Sequence, residues 1–306
     1  MRILVTGGAG FIGSHIVEHF QGRAAVRVLD NLRSGCPANL AGLEHEFITA
    51  SILDRAAVRL AMQNVDYVFH LAAMVSVPES MAHPVECNEL NAAGTLIVLE
   101  EAARSGVKKL VFSSSAAVYG DNPIVPKIET MAPEPKSPYA ITKLAGEHYC
   151  AMFSAEGRLP TTCLRYFNVF GPRQNPRSQY AAAVPIFIAQ ALKNLPLTIH
   201  GDGTQTRDFI SVKDIAAANA YFATESPATG VFNVAYGQRL TITELATTIC
   251  QLTNSRSEIN YALPRAGDVK HSLAAIDRLR AAGFAPKSDF SGGLQTTINA
   301  FGRTEP

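Results

Sequence analysis

The run Ile3-Leu4-Val5-Thr6-Gly7-Gly8-Ala9-Gly10-Phe11-Ile12-Gly13 decides how this chain folds. Its first part is apolar at consecutive positions, the pattern of a strand covered on both faces. Its second part is a G-x-x-G-x-x-G that opens a helical pattern from Phe11 to Phe20. Glycine permits the sharp turn and lets main-chain N–H groups approach a pyrophosphate at the positive end of the helix. Asp30 closes the second strand, 17 residues after Gly13, near the spacing at which a carboxylate meets a ribose 2'-hydroxyl. That acid would repel a 2'-phosphate, which favours NAD over NADP. An ordinary strand, turn and helix with packing glycines is the bland alternative, and the conjunction of strand, helix and acid weighs against it.

Further short β-branched runs recur at Val26 to Asp30, Glu46 to Thr49, Val65 to Leu71, Lys108 to Ser113 and Thr161 to Arg165. Between them, Asp54 to Met62, Val85 to Arg104 and Pro138 to Glu156 carry apolar residues at helical spacing. Strand and helix in alternation predict an α/β fold, a Rossmann-type doubly wound parallel sheet. Beyond Asn168 the prolines and the Gly201-Asp202-Gly203 turn break the chain into shorter pieces, read as a smaller α/β C-terminal substrate lobe. The expected division is 1-168 for the NAD-binding domain and 169-306 mainly for the substrate lobe. Gly230 to Val234 is a further buried-strand pattern that returns to the sheet.

The 306 residues are 47% apolar and 17% charged, and 27 Lys plus Arg nearly cancel 26 Asp plus Glu, so no net field favours nucleic acid or a membrane surface. Five cysteines without a C-x-x-C pair argue against a disulfide framework and a zinc site and fit a reducing cytoplasm. Met1-Arg2 runs straight into the first strand with no charged-then-apolar leader, so export is not expected. No stretch reaches about 18 uninterrupted apolar residues, so no membrane span is expected. The histidines lack ligand spacing, and no metal is expected; His15 and His19 share a helical face without an assigned role.

Two further constellations carry chemistry. Tyr139-Ala140-Ile141-Thr142-Lys143 is a Y-x-x-x-K just inside a helix started by Ser137-Pro138, and i,i+4 spacing puts phenol and ammonium on one face. A neighbouring ammonium and a nicotinamide cation both favour the phenolate, which an unperturbed tyrosine of pKa ~10 does not reach at neutral pH. Ser113-Ser114-Ser115 ends a central strand, where ligands of open α/β sheets bind.

With His70-Leu71-Ala72-Ala73, Asn91 before Gly94-Thr95, Arg165-Tyr166-Phe167-Asn168, Arg207-Asp208-Phe209 and Pro264-Arg265-Ala266-Gly267-Asp268, these motifs resemble the extended short-chain dehydrogenase/reductase superfamily over nearly the whole chain. Within it the chain is most similar to UDP-glucose and UDP-N-acetylglucosamine 4-epimerases. The resemblance implies tightly held NAD, a UDP-sugar substrate and a homodimer through the Val85 to Arg104 and Pro138 to Glu156 helices. It makes Tyr139 the base, Lys143 its partner and Ser115 the proton relay. It places the cofactor against Gly7, Gly10, Phe11, Ile12, Gly13, Asp30, Asn31, Ser34, Gly35, Ser51, Ile52, Leu71, Ala72, Ala73, Asn91, Tyr139, Lys143 and Tyr166. The substrate falls to Ser76, Ser115, Tyr139, Asn168, Arg207, Arg265, Asp268 and Ser272.

Related dehydratases and decarboxylases carry an extra carboxylate where this chain has Ala116 and Ala117, so simple C4 epimerisation is favoured. Ser272 stands where the resemblance places a gate residue, tyrosine in enzymes confined to UDP-glucose and UDP-galactose, which leaves room for a 2-acetamido group. Ser51-Ile52 replaces the usual Asp-Ile adenine contact, and Val75-Ser76 resembles the acetamido-accepting branch. A C4 ketoreductase and a non-catalytic dinucleotide sensor remain as alternatives; the latter has no need of Ser115, Tyr139 and Lys143 together.

Overall fold

The computed structural model describes residues 1–176, 182–264 and 270–304. In chain order the first half runs β1 (Arg2–Thr6), α1 (Phe11–His19), β2 (Ala25–Asp30), β3 (Glu46–Thr49), α2 (Arg55–Ala61), β4 (Tyr67–His70), α3 (Val77–Ala82), α4 (Pro84–Asn88), α5 (Gly94–Arg104), β5 (Lys109–Ser115), α6 (Pro138–Ala155) and β6 (Thr161–Tyr166). The second half continues with β7 (Asn168–Phe170), α7 (Ala183–Leu192), β8 (Leu197–His200), β9 (Thr206–Arg207), β10 (Phe209–Ser211), α8 (Val212–Thr224), β11 (Gly230–Val234), β12 (Leu240–Thr241), α9 (Ile242–Thr253), β13 (Ile259–Ala262), α10 (Asp277–Ala281) and α11 (Phe290–Thr304).

Seven strands form one parallel sheet in the order β11-β6-β5-β4-β1-β2-β3. Consecutive apolar residues of each strand serve opposite faces. Ile3, Val5, Val28, Phe69, Val111 and Leu164 pack under Ile16 and Val17 of α1 and Ile215 and Phe222 of α8. Leu4, Leu29, Val68, Leu110 and Phe112 face Val58 of α2, Val98 and Leu99 of α5, and Cys150 and Phe153 of α6. Each such fully buried aliphatic or aromatic side chain contributes on the order of 1.5–3 kcal/mol. Gly230–Val234 pairs with β6 in parallel, so late sequence joins the sheet. A third core, around Phe187, Ile188, Leu245, Ile249 and Leu294, is made by α7, α9 and α11.

Element boundaries differ from the sequence reading in two instructive places. Strand β5 continues to Ser115, so Ser114 and Ser115 are sheet residues with fixed directions. The Val85 to Arg104 helix is broken into α4, a π-helical turn at Glu89–Ala93 and α5. The wide turn holds Asn91, buried and bonded to the backbone of another loop. No helix among the described residues is long and apolar enough to cross a membrane.

Candidate active site and cofactor cleft

Strand order reverses between β1 and β4, and a cleft of about 760 Å³ opens beyond their carboxyl ends. The first glycine turn makes one wall. Gly7 has φ +73°, and a Cβ there would lie 2.7 Å from the main-chain nitrogen of Ala72 on the neighbouring loop. A Cβ on Gly13 would lie 2.2 Å from the Gly7 carbonyl oxygen. No side chain fits at either place, and the turn presents bare backbone to the cleft. Asp30 accepts from the N–H of Ala9 at 3.0 Å and of Leu32 at 2.8 Å, so its carboxylate orients both the glycine turn and the loop after β2. Gly35 closes that loop, with no space for a Cβ beside the Asp30 oxygens.

The loop after β4 is pinned from below. His70 bonds the Thr6 hydroxyl through Nδ1 at 2.7 Å and the Thr95 hydroxyl through Nε2 at 3.0 Å, and Thr95 donates onward to the Asn91 carbonyl at 2.5 Å. Burial, then the nearby Lys143 ammonium, pushes His70 down to about 3, so the imidazole is neutral and structural.

The opposite wall carries the acid/base candidates. Ser137 caps α6 by accepting from Ala140 N–H, and the Tyr139 N–H donates to Ser80 Oγ at 3.2 Å. Lys143 is buried; its Nζ donates to the Ser113 carbonyl at 2.7 Å and lies 5.0 Å from the Phe112 ring centroid and 5.9 Å from that of Tyr139. Burial pushes the Tyr139 phenol above its ordinary value, opposed by a hydrogen bond with Ser115. Lys143 is pulled down to about 8 by burial, against the raising influence of Cys87, Cys150 and Glu147. Burial, with Cys87 adding to it, therefore favours Tyr139 as a phenol, and of the groups around it Ser115 is the one that opposes this.

Gly7, Gly10, Phe11, Ile12, Gly13, Asp30, Asn31, Ser34, Ile52, Leu71, Ala72, Ala73, Ser115, Tyr139, Lys143 and Tyr166 line this one cleft. Tyr166 turns its hydroxyl away, to Asn219. Several other candidates are engaged elsewhere. Asn91 is off the cleft wall: its amide donates to the Met74 carbonyl and the Thr142 hydroxyl and accepts from Met74 N–H, so it braces the loop. Ser76 caps α3 by accepting from Glu79 N–H, and the Ser51 hydroxyl accepts from Leu53 N–H. Asn168 Nδ2 donates to the Asp208 carbonyl at 3.2 Å, and Arg207 Nη1 donates to the Thr206 carbonyl at 3.0 Å. Ser272 N–H donates to the same Thr206 carbonyl, which sets Ser272 beside Arg207. Arg265 and Asp268 lie outside the described residues.

The Ser113 carbonyl, Glu147 and Arg165 are site residues that no motif role in the sequence marks. The four-residue step from Lys143 to Glu147 was the available signal, since it repeats the Tyr139 to Lys143 step on the same helical face. Among the described residues, no group of three His, Cys, Asp or Glu could hold a metal ion.

The model of the NAD-dependent epimerase/dehydratase family matches residues 3–235. The chain belongs to that family, within the extended short-chain dehydrogenase/reductase superfamily. The UDP-N-acetylglucosamine 4-epimerase of Methanobrevibacter ruminantium, solved in complex with UDP-N-acetylmuramic acid, superposes with a TM-score of 0.96 at 42% identity, covering 99% of both chains. The UDP-glucose 4-epimerase of Thermus thermophilus, solved with NAD, gives 0.91 at 38% identity over 100% of each. The UDP-glucose 4-epimerase of Mycolicibacterium smegmatis is 36% identical over 312 residues, covering 98% of both sequences. Family membership makes NAD the cofactor, and the cleft fits it: Gly7 and Gly13 leave bare backbone on one wall, with the Asp30 carboxylate on the same wall.

Proposed function

We propose that the chain is an NAD-dependent UDP-hexose 4-epimerase that interconverts UDP-glucose with UDP-galactose and UDP-N-acetylglucosamine with UDP-N-acetylgalactosamine through a 4-keto sugar. The observation that carries this reading is the composition of the cleft. Ser115, Tyr139 and Lys143 converge on it, while Asp30, at the glycine-turn end, is the sole carboxylate among its described walls. Elimination or decarboxylation uses a further acid or base near the sugar, and Ala116 and Ala117 follow Ser115 instead.

When bound, NAD would supply hydride-transfer chemistry at C4 of the sugar, and its positive charge would favour the Tyr139 phenolate. Tyr139 takes the C4 hydroxyl proton and later returns it, with Ser115 as its hydrogen-bonding relay. Lys143 holds its ammonium in the catalytic face through Ser113. For the keto sugar to show its other face, the UDP end must stay fixed; we assign this to Arg207 and Arg265, whose guanidinium forks suit a diphosphate, with Asn168 and Asp268 beside them. Ser272, next to Arg207, leaves space for an acetamido group.

We also place the enzyme in the reducing cytoplasm as a homodimer. Its cysteines are free among the described residues, and Ile141 and Met152 on α6 are exposed apolar side chains that a second copy would cover.

Incubation with UDP-N-acetylglucosamine and, separately, UDP-glucose, with chromatographic separation of products and NADH absorbance followed throughout, tests the reading. The galacto epimer without accumulating NADH is the expected result. Stoichiometric NADH, or no epimer from either sugar, moves the weight to a different sugar-nucleotide oxidoreductase and leaves the fold and the cofactor. Tyr139→Phe is expected to abolish turnover while NAD stays bound.

A further inference from the structure

Behind the Tyr139–Lys143 face lies a charged pair that the proposed chemistry leaves unused. Glu147 stands one helical turn beyond Lys143 on α6 and is 4% exposed; Arg165 on β6 is 3% exposed. The guanidinium grips the carboxylate with both arms: Nε donates to Oε1 at 2.8 Å and Nη2 to Oε2 at 2.7 Å. Ser114 Oγ donates to the same Oε1 at 2.5 Å. Ser114 lies between the two residues that the catalytic face depends on, Ser113, whose carbonyl receives Lys143 Nζ, and Ser115, whose hydroxyl meets Tyr139. A buried ion pair costs desolvation and is commonly no better for stability than apolar residues of the same size. Stability alone is therefore a weak reason for a charged pair at this position.

We propose that Glu147 and Arg165 are positioning residues of the catalytic face: Glu147 holds β5 in register with α6 through Ser114, and the matched charges of the pair keep Lys143 an ammonium at the pH of turnover. This rests on the reading of Tyr139 and Lys143 as the acid/base pair. The titratable groups facing Lys143 are Tyr139, Glu147 and Cys150 on α6, Cys87 on α4 and His70 at the end of β4, with Arg165 behind Glu147 on β6. His70 is neutral. Burial already pulls Lys143 down to about 8, so a small change in local charge decides its protonation near neutral pH.

Unbalancing the pair in either direction gives a signed test. Glu147→Gln leaves the Arg165 cation uncompensated, and the alkaline limb of the kcat–pH profile moves down by about one pH unit. Arg165→Met leaves the carboxylate, and the limb moves up by a similar amount. The Glu147→Gln/Arg165→Met double variant, with no buried charge left over, returns the limb to its wild-type position and keeps the fold should either single variant lose it. Ser114→Ala cuts the register bond at constant charge; it lowers kcat several-fold with the limb and the KM for UDP-sugar unmoved. Limbs that stay put or move the same way in both single variants, with rates that follow melting temperature alone, overturn the charge-balancing role. A double variant whose limb stays displaced, or a wild-type kcat in Ser114→Ala, also counts against the proposal. Tyr139→Phe, assayed alongside, separates the two levels: wild-type turnover in that variant sinks the acid/base reading, whereas an inactive Tyr139→Phe with unmoved limbs elsewhere sinks this inference only.

Discussion

The Nζ of Lys143 donates to the main-chain carbonyl of Ser113 at 2.7 Å across 30 residues of sequence, and this bond joins the helix that carries Tyr139 to the central strand that carries Ser115. It anchors an ammonium where burial disfavours one, which makes the pH response of the enzyme a direct readout. Lys143 lies at about 8 in the fold, below the ~10.4 of an unfolded lysine. Between those values the folded state binds fewer protons than the unfolded one, so this residue's contribution to stability rises with pH across that window. Under the proposed mechanism its ammonium is lost over the same window. The expected result is a kcat that falls above about pH 8 without a matching fall in melting temperature from this group. Lys143→Met removes the limb and lowers kcat by about a hundred- to ten-thousand-fold, as checked by steady-state pH profiles.

Gly13→Ala tests the glycine turn by sterics alone. Its Cβ would lie 2.2 Å from the Gly7 carbonyl, a backbone atom that has nowhere to go. A loss of about 1–3 kcal/mol of stability and a sharp drop in NAD retention are expected, read by thermal melts and by cofactor released on gel filtration. A variant that keeps both NAD content and melting temperature would show that the turn is looser than its geometry.

Asp208 is fully buried at the entrance to β10 and accepts from the N–H groups of Tyr236, Gly237 and Ala274, each at 3.1 Å. Burial pushes its carboxyl up to about 7 against those donors, which favour the carboxylate. Asp208→Asn turns one acceptor into a donor facing another donor. Destabilisation of about 1–3 kcal/mol is expected from denaturant titration, together with a raised KM, since Arg207 precedes Asp208 directly and Ser272 is held by its N–H on the Thr206 carbonyl, two residues before Ala274.

Ser272→Tyr tests substrate breadth. A tyrosine beside Arg207 would fill the space proposed for the acetamido group, so kcat/KM for UDP-N-acetylglucosamine should fall at least about tenfold, while that for UDP-glucose changes little. Equal losses on both sugars would remove Ser272 as the gate.

The parallel sheet, the glycine turn, Asp30 and the Y-x-x-x-K face were all legible in the chain before folding, because each is a local pattern. Consecutive apolar runs encode two-sided burial, glycine encodes φ and close approach, and four-residue spacing encodes one side of a helix. Three-dimensional packing was needed to show that Asn91 braces Met74 rather than facing the cleft, that Ser76 and Ser51 spend their hydroxyls on local backbone, and that burial raises the Tyr139 phenol against the Ser115 hydrogen bond. It also brought Arg165 onto Glu147 and Lys143 onto the Ser113 carbonyl. Such pairings join residues far apart in the chain, and desolvation depends on everything packed around a group, so neither is written in a local pattern.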